Sequence, residues 1–239
     1  MTPDPKPTIY RNELLQALSR SDRALIEPHL GHVELELRQG LEKPHKPIKN
    51  VFFLESGIAS VVARANGGAK IEAGIIGREG VTGLMVIMGN DRSPHETYMQ
   101  VAGEGQRIAS DDLRSAMRES DTLQRRLLHY AQAFLIQSSY TSLANGRATL
   151  ETRLARWLLM AHDRIDGDEI PLVHDFLALM LGVRRAGVTT AIQELEHQGL
   201  IDGRRGRIIM ADRAGLEEVA KGIYGQPETE YKRLMDSLR

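Results

Sequence analysis

The sequence has no cysteine. That excludes disulfides, a thiol nucleophile, and zinc or iron–sulfur clusters held by thiolates. It has no apolar run near the ~20 residues that a membrane-crossing helix needs. It lacks a large excess of charge of either sign: the formal net charge is −1. A nucleic acid would therefore have to be met by a local patch and not by the field of the whole molecule. Met1 to Lys6 carries prolines and an acid before any apolar run, which does not read as a signal peptide. These absences describe a cytoplasmic protein with no membrane partner. The 239 residues, 41% hydrophobic and 26% charged, have the balance of a globular chain of one large or two ordinary domains.

The hydrophobic period changes three times along the chain. After a proline-rich start, Asn12 to Leu18 reads as a short helix, and Ser21 as the N-cap of a second that buries Leu25 and Ile26. Val33, Leu35 and Leu37 then alternate with charged residues, the signature of a half-buried strand. Short apolar segments follow at 51–54, 58–63, 71–76, 98–102 and 106–109, with Asn66-Gly67-Gly68 as a hairpin turn. Many short strands at this spacing predict a barrel or sandwich.

Helical patterning begins at Asp111. Thr122 to Asn145 contains neither proline nor glycine and predicts a helix of about 24 residues, roughly 36 Å long. Leu127, Tyr130, Phe134, Thr141 and Ala144 form a heptad-like stripe on it, read as a dimer interface, and Asn145-Gly146 reads as C-cap and hinge. Thr149 to His162 is an amphipathic helix, Asp175 to Leu181 a short one and Arg185 to Gln198 a longer one.

The segment with most chemical content is Asp175 to Gly199. A helix-turn-helix needs a small residue where two helices cross, a flexible turn residue and an apolar inward residue on the second helix. Ala178, Gly182 and Val188 stand at those places, with Leu177, Leu181 and Val183 as packing. The second helix opens on Arg184, Arg185, Ala186, Gly187, Val188, Thr189 and Thr190. Arginine there can grip guanine O6 and N7 with two hydrogen bonds. Next, Leu200-Ile201 and Arg207 to Met210 flank a basic tip carrying Arg204, Arg205 and Arg207, suited to phosphates. From Gly182 to Arg207 there are five arginines against three acids.

Taken together, the chain resembles the Crp/Fnr family of bacterial regulators over about 14–220. The strongest resemblance lies in Phe176 to Thr189 (FLALMLGVRRAGVT), Leu195 to Ile201 (LEHQGLI) and Arg205 to Ile208 (RGRI), with Val51 to Gly57 similar to the family's entry into the roll. The resemblance implies an α+β protein with a β-roll or jelly-roll sensor domain over 1–120, a dimerisation helix and hinge over 121–146 and a winged helix-turn-helix over 147–239. It implies a homodimer on two-fold-symmetric double-stranded DNA, with RNA polymerase and a small effector as further partners, the effector acting through the long helix on the spacing of the recognition helices. Arg185 matches the family's base-reading arginine. Ala186 stands where a glutamate is frequent and Thr190 where a second arginine is, so the operator should differ from those of the best-known members.

The ligand motif departs further. The Gly-Glu pair of the family's nucleotide binders corresponds here to Gly77-Arg78-Glu79-Gly80, one residue out of step. Arg92-Ser93 offers the types of the phosphate pair but precedes Pro94 in a loop, and Glu96 would repel a phosphate. These six residues are the candidate ligand positions, with cyclic nucleotide disfavoured. No metal site and no cofactor is expected, and His29, His32, His45, His95 and His129 read as surface or packed residues and not as haem ligands. A sensor module without DNA binding would have no use for the basic wing. An enzyme is disfavoured, because Gly-rich phosphate loops, GxSxG and HExxH are all missing and the pairs Asp111-Asp112 and Glu217-Glu218 read as solvated carboxylates.

Overall fold

A computed structural model describes residues 9–172 and 174–237. The prolines before Ile9 lie outside the described residues. The first helices are α1 (Glu13–Gln16) and α2 (Arg20–Ile26). Buried Asn12 caps α1 by accepting from Leu15 N, and its amide donates to the carbonyls of Leu54 and Gly80, pinning α1 to the roll. The cap of α2 is Ser19, not Ser21: its hydroxyl accepts from Asp22 N. Ser21 is already inside the helix.

The strands of the roll are β1 (Gly31–Leu35), β2 (Gly40–Glu42), β3 (Asn50–Leu54), β4 (Ile58–Arg64) and β5 (Lys70–Ile76), then, after helix α3 (Leu84–Ile87), β6 (Glu96–Val101) and β7 (Gly103–Ala109). They form two antiparallel sheets, in the orders β1-β7-β3 and β2-β6-β4-β5. Side chains from both sheets meet in a core containing Phe53, Leu54, Met99 and Ile108. Of the alternating trio, Leu35 is buried but Leu37 is 53% exposed, because β1 ends at Leu35.

The next elements are α4 (Ser110–Glu119) and α5 (Asp121–Arg147), the latter 27 residues long. Ser120 caps α5 by accepting from Leu123 N. The helix runs through Asn145 and Gly146, so these residues are not its C-cap. The break falls at extended Ala148, and Thr149 immediately caps the next helix by accepting from Thr152 N. The extended backbone of Ala148 ends α5, and the Thr149 hydroxyl starts the next helix by satisfying one of its free N–H groups.

The remaining elements are α6 (Leu150–His162), β8 (Glu169–Pro171), α7 (His174–Met180), α8 (Arg185–His197), β9 (Ile201–Arg204), β10 (Arg207–Met210), α9 (Arg213–Val219) and α10 (Gln226–Asp236). β8, β10 and β9 make an antiparallel sheet in that order. The second core contains Trp157, Leu158, Leu177, Val188, Leu195 and Ile208, and it takes in Ile58 and Ile75 from the roll. The two halves of the chain therefore share packing. Helix α10 leaves the second core: Leu234 is buried and Tyr231 and Met235 pack on the first core, next to α5. No helix among the described residues is long and apolar enough to cross a membrane.

The stripe predicted for dimer contact lies elsewhere than expected. Leu127, Tyr130, Phe134 and Ala144 are buried inside the protomer, the first three in the roll core, and Thr141 is half-buried with its hydroxyl donating to Gln137 O. Leu127, Tyr130 and Phe134 face the chain's own roll, and Thr141 accepts from Arg156 of α6. The face left open carries Leu128, Leu135 and Leu143, at 40%, 57% and 45% exposure.

Candidate nucleic-acid interface and effector cavity

The helix pair α7–α8 turns at Gly182, whose φ of +61° is the left-handed conformation that glycine adopts without strain. Val183 N donates back to Ala178 O across the turn, and Leu177 and Val188 are fully buried beneath it. The predicted turn chemistry is thus the observed one. On its outer side the pair rests against the roll: Ile71 touches the Gly182 position, the Arg38 guanidinium lies 5.2 Å from the Phe176 ring centre, and the Gln100 amide donates to Met180 Sδ at 2.9 Å.

The first turn of α8 is open to solvent on its other side. Arg184, Arg185 and Thr190 are exposed and Thr189 is half-exposed. The Arg184 side chain makes no hydrogen bond or ion pair with a described residue, while its carbonyl accepts from Gly187 N at 2.9 Å. The hydroxyls of Thr189 and Thr190 donate to the carbonyls of Arg185 and Ala186, which leaves their methyl groups turned outward. Gly187 differs from its neighbours. It sits against Leu150 at the start of α6, where a Cβ would come 3.2 Å from Leu150 Cδ2, so it serves helix packing.

The wing is the β9–β10 hairpin, closed at Gly206 with φ +79°. Its arginines are unequal. Arg204 donates to Asp202 Oδ2 at 2.8 and 3.0 Å, and Arg207 to Glu169 Oε1 at 3.2 Å, all on the surface. Arg205, at the tip, has no such partner among the described residues. Exposed ion pairs of this kind are weak, on the order of 0–1 kcal/mol, and can be exchanged for phosphate.

The candidate ligand residues separate into two places. A cavity of about 190 Å³ lies between the roll and α5. Val61, Ile76, Leu84, Met85, Met88 and Phe134 give it an apolar wall, and Glu42, Ser93, His95 and Thr97 supply the polar groups. Ser93 alone of the six predicted residues lines it. Arg92 instead points outward, 55% exposed, to Asp91 and to His45 O. Gly77, Arg78, Glu79 and Gly80 form a joint with the winged half: Arg164 covers Gly77 and pairs with Glu79 at 2.7 Å, Arg78 pairs with Asp166 at 2.9 Å, and the Tyr130 hydroxyl lies on Gly80.

Glu42 was invisible in the sequence because its strand is three residues long. Its carboxylate accepts from Gly83 N at 2.8 Å, and burial raises its pKa against the lowering effect of that hydrogen bond and of Thr97. Burial likewise lowers His95. Among the described residues no arginine or lysine lines the cavity. Among the described residues no group of three or more His, Asp or Glu is placed to hold a metal.

An α-helical pair with a left-handed turn, an open arginine-bearing helix end and a basic wing defines a winged helix-turn-helix, a DNA-binding class. Residues 152–219 match the Crp-like helix-turn-helix domain. The whole-chain architecture is similar to FixK2 from Bradyrhizobium japonicum, at 17% identity over 81% of this chain and 98% of that one, with a TM-score of 0.70. It is similar to a CRP-family transcriptional regulator from Thermus thermophilus, at 17% identity, 79% and 96% coverage and a TM-score of 0.66. It is also similar to CLP of Xanthomonas campestris, described as a c-di-GMP responsive global regulator, at 16% identity, 80% and 99% coverage and a TM-score of 0.62. At these identities the likeness is one of fold. No curated protein matches the chain. The chain therefore carries a Crp-like helix-turn-helix domain, a DNA-binding domain of transcription regulators, within an overall fold similar to those structures.

Proposed function

We propose that the chain acts as a homodimer whose two α8 ends read a two-fold-symmetric operator, with the roll cavity as the seat of a small effector. The observation that carries this reading is the open N-terminal end of α8, with Arg184 and Arg185 exposed, together with Arg205 exposed at the tip of the wing. Arg185 takes the base-reading role; Arg184 and the wing arginines hold phosphates. Three of the large apolar residues exposed among the described ones lie on α5: Leu128 and Leu135 stand seven apart, one heptad, and Leu143 lies eight beyond Leu135. Ser139 and Ser142, exposed between them, allow a second helix to approach closely.

The cavity argues for the class of effector. Without a cation in its wall, and with Glu42 inside it, a cyclic phosphate would be buried unpaired at a cost of several kcal/mol. A mainly apolar molecule that is neutral or donates a hydrogen bond to Glu42 fits. Leu135 and Ser138 sit both on the cavity wall and on α5, beside the open leucine face, so a partner helix would help to close it.

Selection of bound sequences from a random DNA pool at fixed salt tests the reading. A two-fold-symmetric motif is expected, and Arg185→Ala should weaken its binding about tenfold or more, a loss within the 1–3 kcal/mol of a bidentate arginine–guanine pair. An unchanged affinity for the selected site would remove Arg185 from the base-reading role.

A further inference from the structure

The Crp-like helix-turn-helix domain ends at 219, but the chain continues and turns back. Residues 220–224 belong to the winged half. Ala220 is fully buried in the second core, Ile223 O accepts from Nε of buried Arg156 at 2.8 Å, and the Tyr224 hydroxyl donates to Asp163 Oδ2 at 2.8 Å. Gly225, at φ +95°, turns the chain into α10, whose first turn holds Pro227 and a Glu228 carboxylate that accepts from Gly225 N at 2.8 Å. The helix packs on α5 and ends on other ground. Leu234 is buried, and Tyr231 and Met235 pack on the roll core. The Tyr231 hydroxyl donates to Glu79 O at 2.9 Å. The Leu234 carbonyl lies 3.1 Å from His129 Nδ1, which donates because a carbonyl only accepts. One end of α10 is therefore fixed to the winged half, and the other to the roll and the first half of α5.

That placement constrains the joint between the halves. The extended backbone at Ala148, between α5 and α6, is a point about which the winged half can swing. His129 precedes Ala148 by 19 residues, about 28 Å along α5. A swing of roughly 10° transverse to α5 would carry the far end of α10 about 5 Å, farther than a hydrogen bond spans. The packing of Ile58 and Ile75 in the second core and the Arg164–Glu79 pair also oppose such a swing, and α10 opposes it with a long lever. While α10 is docked, the winged half keeps one orientation on the roll, and so does the first turn of α8. Lifting α10 uncovers Tyr231, Leu234 and Met235 but breaks no pairing in either half's sheets. Segments held by few contacts open at lower cost than cores do.

We propose that α10 is a strap that sets the orientation of the winged half. Docked, it holds the two α8 ends of the dimer at one spacing; lifted, it lets each winged half swing about Ala148. The consequence for DNA rests on the homodimer and operator reading. The fastening itself does not.

The absence of cysteine lets the fastening be measured directly. Nitroxide labels on Lys46→Cys in the roll and Glu218→Cys in α9, both exposed positions, report the distance between the halves by pulsed electron resonance, with labelled chain diluted in unlabelled chain. One narrow distribution is expected in the otherwise native chain, and Leu234→Asp should broaden it by about 5 Å or more. Tyr231→Phe combined with His129→Ala removes both polar ties without burying a charge and should broaden it less. Thermal melts identify which variant keeps the fold, and either one suffices. On DNA, the ratio of affinities for the selected operator and for that operator with one base pair inserted at its centre should fall about threefold or more in the variant. Unaltered distances in a folded variant, or a broad distribution already present in the native background, would overturn the strap. Broadened distances with an unchanged ratio would overturn its control of half-site spacing. Failure to select any two-fold site would count against the operator reading and leave the distances to decide the fastening.

Discussion

The two faces of α5 carry similar residues and do opposite things. Leu127, Tyr130 and Phe134 are buried in the roll core, while Leu128 and Leu135, one position on from the first and the last of them, stand open. A turn of about 100° per residue is enough to move a leucine from the protomer's core to its surface. The inner face is also tied by polar groups: the Gln137 amide oxygen accepts from Ile75 N at 2.8 Å, and its NH₂ donates to Ile75 O at 3.2 Å. On the outer face, among the described residues, the hydroxyls of Ser139 and Ser142 bond only within the helix, to Leu135 O and Ser138 O. Periodicity marks both stripes equally, and only the position of the roll distinguishes them.

Ranked by effect on the stability of the protomer, the first way to break this comparison is Phe134→Ala. It removes a ring packed between roll and helix and should cost about 3–5 kcal/mol, read as a fall in denaturant midpoint with an unchanged slope. A loss below ~1 kcal/mol would show that the inner face is not core.

The second concerns β5, the strand beneath that face. Glu72 is buried, accepts from the Ser60 hydroxyl and from Trp157 Nε1 at 2.8 Å, and is pushed up to about 7 by desolvation against the lowering effect of those hydrogen bonds and of Arg156 and Arg164. For an acid raised in the folded state the neutral form is the favoured one. Its contribution is therefore greatest below the unfolded value near 4.5, falls as pH rises to about 7, and is level above that. The span corresponds to about 3 kcal/mol. Glu72→Gln should remove that slope and stabilise the protein at pH 8. Trp157 is the one tryptophan, so its fluorescence should titrate near pH 7 in the native chain and not in the variant. A flat fluorescence profile in the native chain would place the Glu72 charge elsewhere on the pH scale.

The third is Leu135→Asp on the open face. Stability of the protomer should change by no more than about 0.5 kcal/mol, as for surface substitutions. Sedimentation should show monomer at concentrations where the native chain is a dimer. Dimer persisting in the variant would move the interface off this face.

The winged motif was legible residue by residue. Gly182, Val188 and Leu177 are local requirements of a tight helix pair, and the structure places each where the spacing implies. The ligand positions were not. Gly77 to Gly80 look like part of a pocket by resemblance, yet Arg164 and Tyr130, 87 and 50 residues beyond those glycines, fill the space beside them. No local signal marked Glu42, whose hydrogen-bond partners Gly83 and Thr97 come from other elements.

By itself, then, the sequence determined what depends on neighbours along the chain: the succession of strands, a long helix, and a helix-turn-helix with a basic wing. Turn dihedrals, caps and periodicity act within a few residues. The tertiary structure decided which stripe of α5 is core, which glycines are covered, and that Glu42 and Glu72 are buried. Those outcomes depend on surfaces that meet only after folding, where burial and charge act through space.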